Sequence, residues 1–124
     1  MGEERRRSVR ARVRLSTLMK IVSTGKVHRV LTNNVSSVGL SFIADQLLES
    51  GTQLELEITL PDRTTPMTCT TEVVWSQSVG APRKSYETPT VEIGVRFVTI
   101  NPKDQAALKQ YTVMNALPPD SPSV

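Results

Sequence analysis

Cysteine occurs once in the 124 residues, and phenylalanine, tryptophan and tyrosine together occur five times. The lone Cys69 cannot form an internal disulfide, and no apolar run approaches the roughly 18–20 residues of a membrane-spanning helix. No apolar h-region follows the first basic residues, so a secretory signal is not expected and a cytoplasmic location is. The five aromatics, Phe42, Trp75, Tyr86, Phe97 and Tyr111, form no stacking row of the kind single-stranded nucleic-acid binders use. No nucleophile–base arrangement, Walker loop or paired carboxylates is present to support catalysis, so the chain is not expected to be an enzyme or to carry a cofactor. His28 lacks a cysteine or carboxylate partner at metal-ligand spacing and reads as a surface strand histidine; no metal site is expected.

Lysine is absent from the first fourteen residues, which hold six arginines (5, 6, 7, 10, 12 and 14) against Glu3 and Glu4. The rest of the chain is nearly balanced, with nine basic and ten acidic residues, so the net charge of +3 arises from the N-terminal segment. A neutral body with one basic arm suggests a local anion site or a short electrostatic tether rather than an extended nucleic-acid surface. The exclusive use of arginine favours shaped recognition. Its planar fork makes two hydrogen bonds to a phosphate or to the O6/N7 edge of guanine, which an ammonium group does not.

With 38% hydrophobic residues the chain is sized for one domain with its own core. Most of it reads as short strands. Residues 12–15 and 18–22 form a first polar/apolar run, Ser23-Thr24-Gly25-Lys26 supplies a turn, and 27–32 completes a hairpin. Residues 40–43 form a third strand. Strict alternation from Leu54 to Leu60 places Leu54, Leu56, Ile58 and Leu60 on one buried face. The β-branched run from Met67 to Trp75 and the run from Val91 to Ile100 add two more strands, with 80–89 as a loop between them. Cys69 is expected to be buried, and Trp75 is expected in the core, with a partner contact or a stacking face for a base as its alternatives. Arg96, between Val95 and Phe97, is expected to face outward. One helix is expected over 101–115, with Asn101 as N-cap, Pro102 at the first position, and Ala107, Leu108, Tyr111 and Met114 at helical spacing. Six strands and a terminal helix indicate a mainly β fold, a small antiparallel β-barrel covered by one C-terminal helix.

Two short patterns stand out. Arg6 and Arg10 form RxxxR, and Asn34, Ser36 and Gly39 form an N-x-S-x-x-G some two dozen residues later. Taken locally, Asn34 and Ser36 do no more than bond to nearby backbone in a turn. Gly39 either adopts a positive φ or admits a ligand close to the backbone.

In this order and at this separation the two patterns resemble the signature of PilZ domains, which bind the second messenger cyclic diguanylate (cyclic di-GMP) in bacteria. Val73-Val74-Trp75, Gly94-Val95-Arg96-Phe97 and the closing helix extend the resemblance over most of the chain. It implies a six-stranded antiparallel PilZ-type barrel, placed at 13–116; the arginine run marks 1–12 as a flexible arm, and the Pro/Ser-rich composition marks 117–124 as a disordered tail. The resemblance also implies that Arg6 and Arg10 bind guanine edges and phosphates, with Arg5 and Arg7 adding charge and Arg7 able to exchange roles with Arg6. Asn34 and Ser36 would hydrogen-bond guanine and phosphate, and Gly39 would permit the turn. Many members have Asp where this chain has Asn34, which keeps an acceptor for a guanine N–H but loses the charge-assisted strength of a carboxylate.

The function expected on this basis is that of a cyclic di-GMP sensor that orders its arm on binding. It would signal to an unidentified partner protein controlling motility, adhesion or exopolysaccharide output. A small-barrel nucleic-acid-binding protein, and a PilZ-like protein-interaction scaffold that binds no nucleotide, are the competing readings.

Overall fold

The computed structural model describes residues 10–80 and 90–115. Seven strands and one helix follow in the order β1 (Arg10–Ala11), β2 (Ser16–Ile21), β3 (Val27–Ser36), β4 (Gly39–Ala44), β5 (Gln53–Ile58), β6 (Met67–Gly80), β7 (Thr90–Ile100) and α1 (Pro102–Met114). Six of the strands close on themselves. β2 pairs with β3, β3 with β4, β4 with β7, β7 with β6, β6 with β5 and β5 with β2, every pairing antiparallel. The two-residue β1 is a spur on the far end of β3. Closure leaves the inward face to pack as the core, with Leu15, Met19, Phe42, Leu54, Leu56, Ile58, Val73 and Ile93 all essentially inaccessible.

β5 follows its alternation, burying Leu54, Leu56 and Ile58 and exposing Gln53, Glu55 and Glu57. Gly25 and Gly51 turn the chain with φ of +77° and +95°, a region other residues rarely adopt. The segment 12–15, expected as strand, is not one. The buried Thr32 hydroxyl takes the place of a ladder there, accepting from the Leu15 amide at 2.8 Å and donating to the Val13 carbonyl at 2.6 Å. β6 runs to Gly80, past the expected end at Trp75, because it pairs with β7 as far as Thr90. The 80–89 loop falls outside the described residues from 81 onward, as does the tail from 116. No described helix is long and apolar enough to cross a membrane.

α1 starts as its sequence dictates. Asn101 Oδ1 accepts from the Lys103 amide at 2.8 Å, Pro102 occupies the first position, and Asp104 faces the positive end of the helix dipole. Its buried residues are Leu108 and Thr112, four apart on one face. Met114, expected on that face, is 75% exposed, because it sits six positions after Leu108 and rotates away. The helix packs against β1 and β3 and so lies beside the junction of β3 and β4.

Candidate functional site

A groove of about 240 Å³ opens on the outer surface of the barrel where β3, β4, β7 and β6 run side by side, and Asn34, Ser36, Gly39, Ser41, Trp75, Gly94 and Arg96 line it. The Asn34-Ser36-Gly39 pattern is therefore at a cavity, although not as a free turn. Asn34 and Ser36 belong to β3, and the turn itself is reduced to Ser37 and Val38. A β-bulge makes this possible. β3 pairs Thr32 with Phe42 but Asn34 with Ser41, so Asn33 is an extra residue. Without it, alternation from the inward Thr32 would send Asn34 into the core and Val35 outward. With it, Val35 is buried and Asn34 reaches the groove.

Ser36 organises the turn. Its Oγ donates to the Gly39 carbonyl at 3.1 Å and accepts from the amides of Val38 and Gly39 at 3.2 and 3.3 Å, which uses the full capacity of a hydroxyl. Gly39 has no positive φ; among the described residues that conformation belongs to Gly25 and Gly51. Its missing side chain is needed for close approach instead, since a Cβ would overlap the Val95 carbonyl oxygen of β7. The turn is pinned further from two sides, by the Phe97 amide donating to the Val38 carbonyl at 2.9 Å and by Gln105 Nε2 of α1 donating to the Ser37 carbonyl at 2.9 Å. The helix thus braces the motif as well as the core.

Trp75, expected in the core, is 42% exposed. A bulge between Val73 and Trp75 turns it outward, and Gly94, its register partner on β7, leaves room for the indole to lie across the strand. Arg96 does face outward and pairs with Glu72 on β6. Glu92 Oε2 accepts from both Asn33 Nδ2, at 2.7 Å, and Ser41 Oγ, at 2.9 Å. Reading the sequence did not find Ser41, Asn33 or Glu92. The available signal was a polar residue interrupting each apolar strand, Ser41 between Leu40 and Phe42 and Glu92 between Val91 and Ile93.

Arg5, Arg6 and Arg7 lie outside the described residues, and Arg10 is described in its backbone. That backbone is informative: β1 pairs Arg10 with Ser36 and Ala11 with Val35, and Ala11 is fully buried. The end of the RxxxR segment is thus hydrogen-bonded alongside the second motif, although Arg10 and Ala11 were assigned to the arm. Elsewhere, His28 of β3, expected at the surface, is half-buried in register with Met19, and its buried Nε2 has no hydrogen-bond partner among the described residues. Cys69 is buried, and that burial, reinforced by the charge of Asp104, pushes its thiol pKa up to about 12. No group of three His, Cys, Asp or Glu able to hold a metal occurs among the described residues.

The sequence matches the PilZ domain family over residues 4–113. The chain belongs to that family. Its fold is similar to that of the Bacillus subtilis inhibitor of motility MotI/DgrA, with a TM-score of 0.72 and 24% identity over 90% of this chain and 51% of the other. It is also similar to the PilZ domain of YcgR from Escherichia coli, solved with c-di-GMP, with a TM-score of 0.70 and 14% identity over 90% of this chain and 92% of that one. MrkH, described as a c-di-GMP-dependent transcription regulatory factor, gives 0.69 and 16% over 89% and 50%. The chain spans about half the length of MotI and MrkH. At these identities the likeness establishes the fold. No curated protein sequence matches the chain.

Proposed function

We propose that this PilZ domain is a non-enzymatic receptor for cyclic di-GMP that closes its N-terminal arginines over the ligand and signals to a partner protein. The observation that carries the proposal is the pairing of Arg10 with Ser36. A chain advances at most about 3.6 Å per residue, so Arg6 is within roughly 14 Å of the backbone beside the groove. Arg5, Arg6, Arg7 and Arg10 can therefore all act on a ligand lying there. Membership of the PilZ family, and the fold shared with domains solved with that nucleotide, support the same ligand.

The dimensions of the groove suit part of such a ligand. At about 240 Å³ it is smaller than the roughly 300–1,000 Å³ that encloses a drug-sized molecule, so one guanine occupies it while the phosphates lie toward the arm. The exposed indole of Trp75 offers that base a stacking face. Asn34 supplies an acceptor for a guanine N–H, and Arg6 and Arg10 supply forks for phosphate and the O6/N7 edge. Ser36 and Gly39 act mainly by holding the turn in which these contacts are set. Closure of the arm creates a surface that exists with ligand bound, and the process it controls is motility, adhesion or exopolysaccharide output through a partner.

Calorimetry with cyclic di-GMP and with a single-stranded oligonucleotide tests the proposal. Saturable binding of the dinucleotide, as one molecule or a stacked pair, is expected. Steeply salt-dependent binding of the oligonucleotide in its place would make the chain a nucleic-acid-binding barrel, and binding of neither would make it a protein-interaction scaffold.

A further inference from the structure

Glu92 of β7 joins two residues of the groove region through a single oxygen. Oε2 accepts from Asn33 Nδ2 at 2.7 Å and from Ser41 Oγ at 2.9 Å. Asn33 is the extra residue of the β3 bulge, and Ser41 stands between Asn34 of β3 and Gly94 of β7 in the sheet register. Asn34, Ser41 and Gly94 all line the groove. The carboxylate therefore touches the residue that sets the outward phase of Asn34 and also a residue of the groove wall.

A hydroxyl has one proton and two acceptor lone pairs, while a carboxylate only accepts. The proton of Ser41 is accordingly committed to Glu92, and toward the groove Ser41 can only accept. The hydrogen bond is charge-assisted, so this polarity is held firmly. A guanine edge carries donors at N1 and N2; adenine in the same pose places a bare ring acceptor at N1, lone pair against lone pair with Ser41, and its one donor on that edge, N6, lies where guanine has O6.

We propose that Glu92 is the positioning residue that makes this groove select guanine over adenine, by fixing Ser41 as an acceptor and Asn33 in its bulge. The inference rests on the reading of the ligand as a cyclic dinucleotide given above. Without Glu92 the Ser41 hydroxyl is free to rotate and donate, and discrimination declines even where binding survives.

The test is calorimetry of the full chain with cyclic di-GMP and cyclic di-AMP, comparing the unaltered protein with Ser41→Ala, Glu92→Ala and the double variant. The affinity ratio between the two ligands is expected to fall about tenfold in each single variant, the equivalent of one hydrogen bond. It should fall no further in the double variant, since the two residues act as one unit. Equal weakening toward both ligands, with the ratio preserved, would reduce Glu92 to a structural support and overturn the inference. Failure of the unaltered protein to bind cyclic di-GMP is a separate result that overturns the ligand assignment itself. If Glu92→Ala does not fold, Ser41→Ala, which deletes a single oxygen, carries the same ratio measurement.

Discussion

Trp75 lies across Gly94 so closely that any side chain at position 94 would overlap its indole ring. The glycine thus sets where the tryptophan of the groove can be. Gly94→Ala is expected to displace the ring and weaken cyclic di-GMP binding, and Trp75→Ala to cost about 1–3 kcal/mol of affinity, the range for stacking one base on an aromatic. Trp75→Phe retains part of it. As the chain has one tryptophan, its fluorescence reports the contact directly. Saturable quenching is expected in the unaltered protein, and unchanged fluorescence at saturating ligand would remove Trp75 from the site.

Asn34 and Ser36 separate into different roles. The Ser36 hydroxyl makes three bonds within its own turn and is nearly buried, so Ser36→Ala strands two amides and lowers stability by about 1–3 kcal/mol along with binding. Asn34 is half-buried at the groove, and Asn34→Ala should weaken binding while leaving the melting temperature almost unchanged. Asn34→Asp should hold or improve affinity. Denaturation and calorimetry on the same samples distinguish the two patterns; a stability loss without a binding loss at Asn34 would assign it to the turn.

What the sequence made legible follows from what is local. The alternation in β5 and the cap of α1 depend on neighbouring residues, and both form as read. The extent of β3 depends on a bulge, and a bulge is defined by the partner strand, so Asn34 looked like a turn residue when it is a strand residue. Thr32 replacing a strand ladder for Val13 and Leu15 involves a side chain seventeen or more positions away, and no periodicity reveals it. The same holds for Trp75, whose exposure is decided by a bulge against the next strand and whose ring has room because Gly94 lies opposite. Asn34, Ser36 and Gly39 line one wall of the groove, while Ser41 and Arg96 reach it through sheet topology and Glu92 only through its bond to Ser41.

Cys69 gives a pH signature. Its thiol is pushed up to about 12 from an ordinary value of 9.0, first by burial and then by Asp104. Below pH 9 the thiol is protonated in both folded and unfolded chains. Between pH 9 and 12 the unfolded chain loses that proton while the folded chain keeps it, so stability declines as pH rises across that window. Cys69→Ala removes this component, and its melting temperature should decline less steeply than that of the unaltered protein over the same range. Parallel curves would show that the thiol is not shielded. Slow reaction with thiol reagents at neutral pH is expected for the same reason.

α1 holds the barrel and the motif together through Leu108 and Gln105. Leu108 is fully buried, and Leu108→Ala should cost about 2–5 kcal/mol of stability. Gln105→Ala loses only the hydrogen bond to Ser37 and is expected to lower ligand affinity more than stability. A chain ending at Ile100 that still unfolds cooperatively would refute the packing role of the helix, whereas removal of 118–124 should be tolerated.

On the proposed function the arginine arm acts through its charge and through the β1 pairing that brings Arg10 beside Ser36. Arg6→Ala and Arg10→Ala should each cost about 1.5–3 kcal/mol of binding, the range for hydrogen bonds to charged groups, with little change in folding. Six arginines within the first fourteen residues repel one another until an anion neutralises them. The two phosphates of one cyclic dinucleotide supply that neutralisation, so affinity should fall with added salt, but less steeply than for a long nucleic acid that releases many counterions. On the proposed function, ordering of the arm is expected to accompany binding. Backbone NMR relaxation of residues 1–9 checks it: rigid behaviour without ligand would reject the switch and leave the groove intact, while rigidity acquired on adding cyclic di-GMP, and lost again in Arg6→Ala, would tie the motion to the arginine forks.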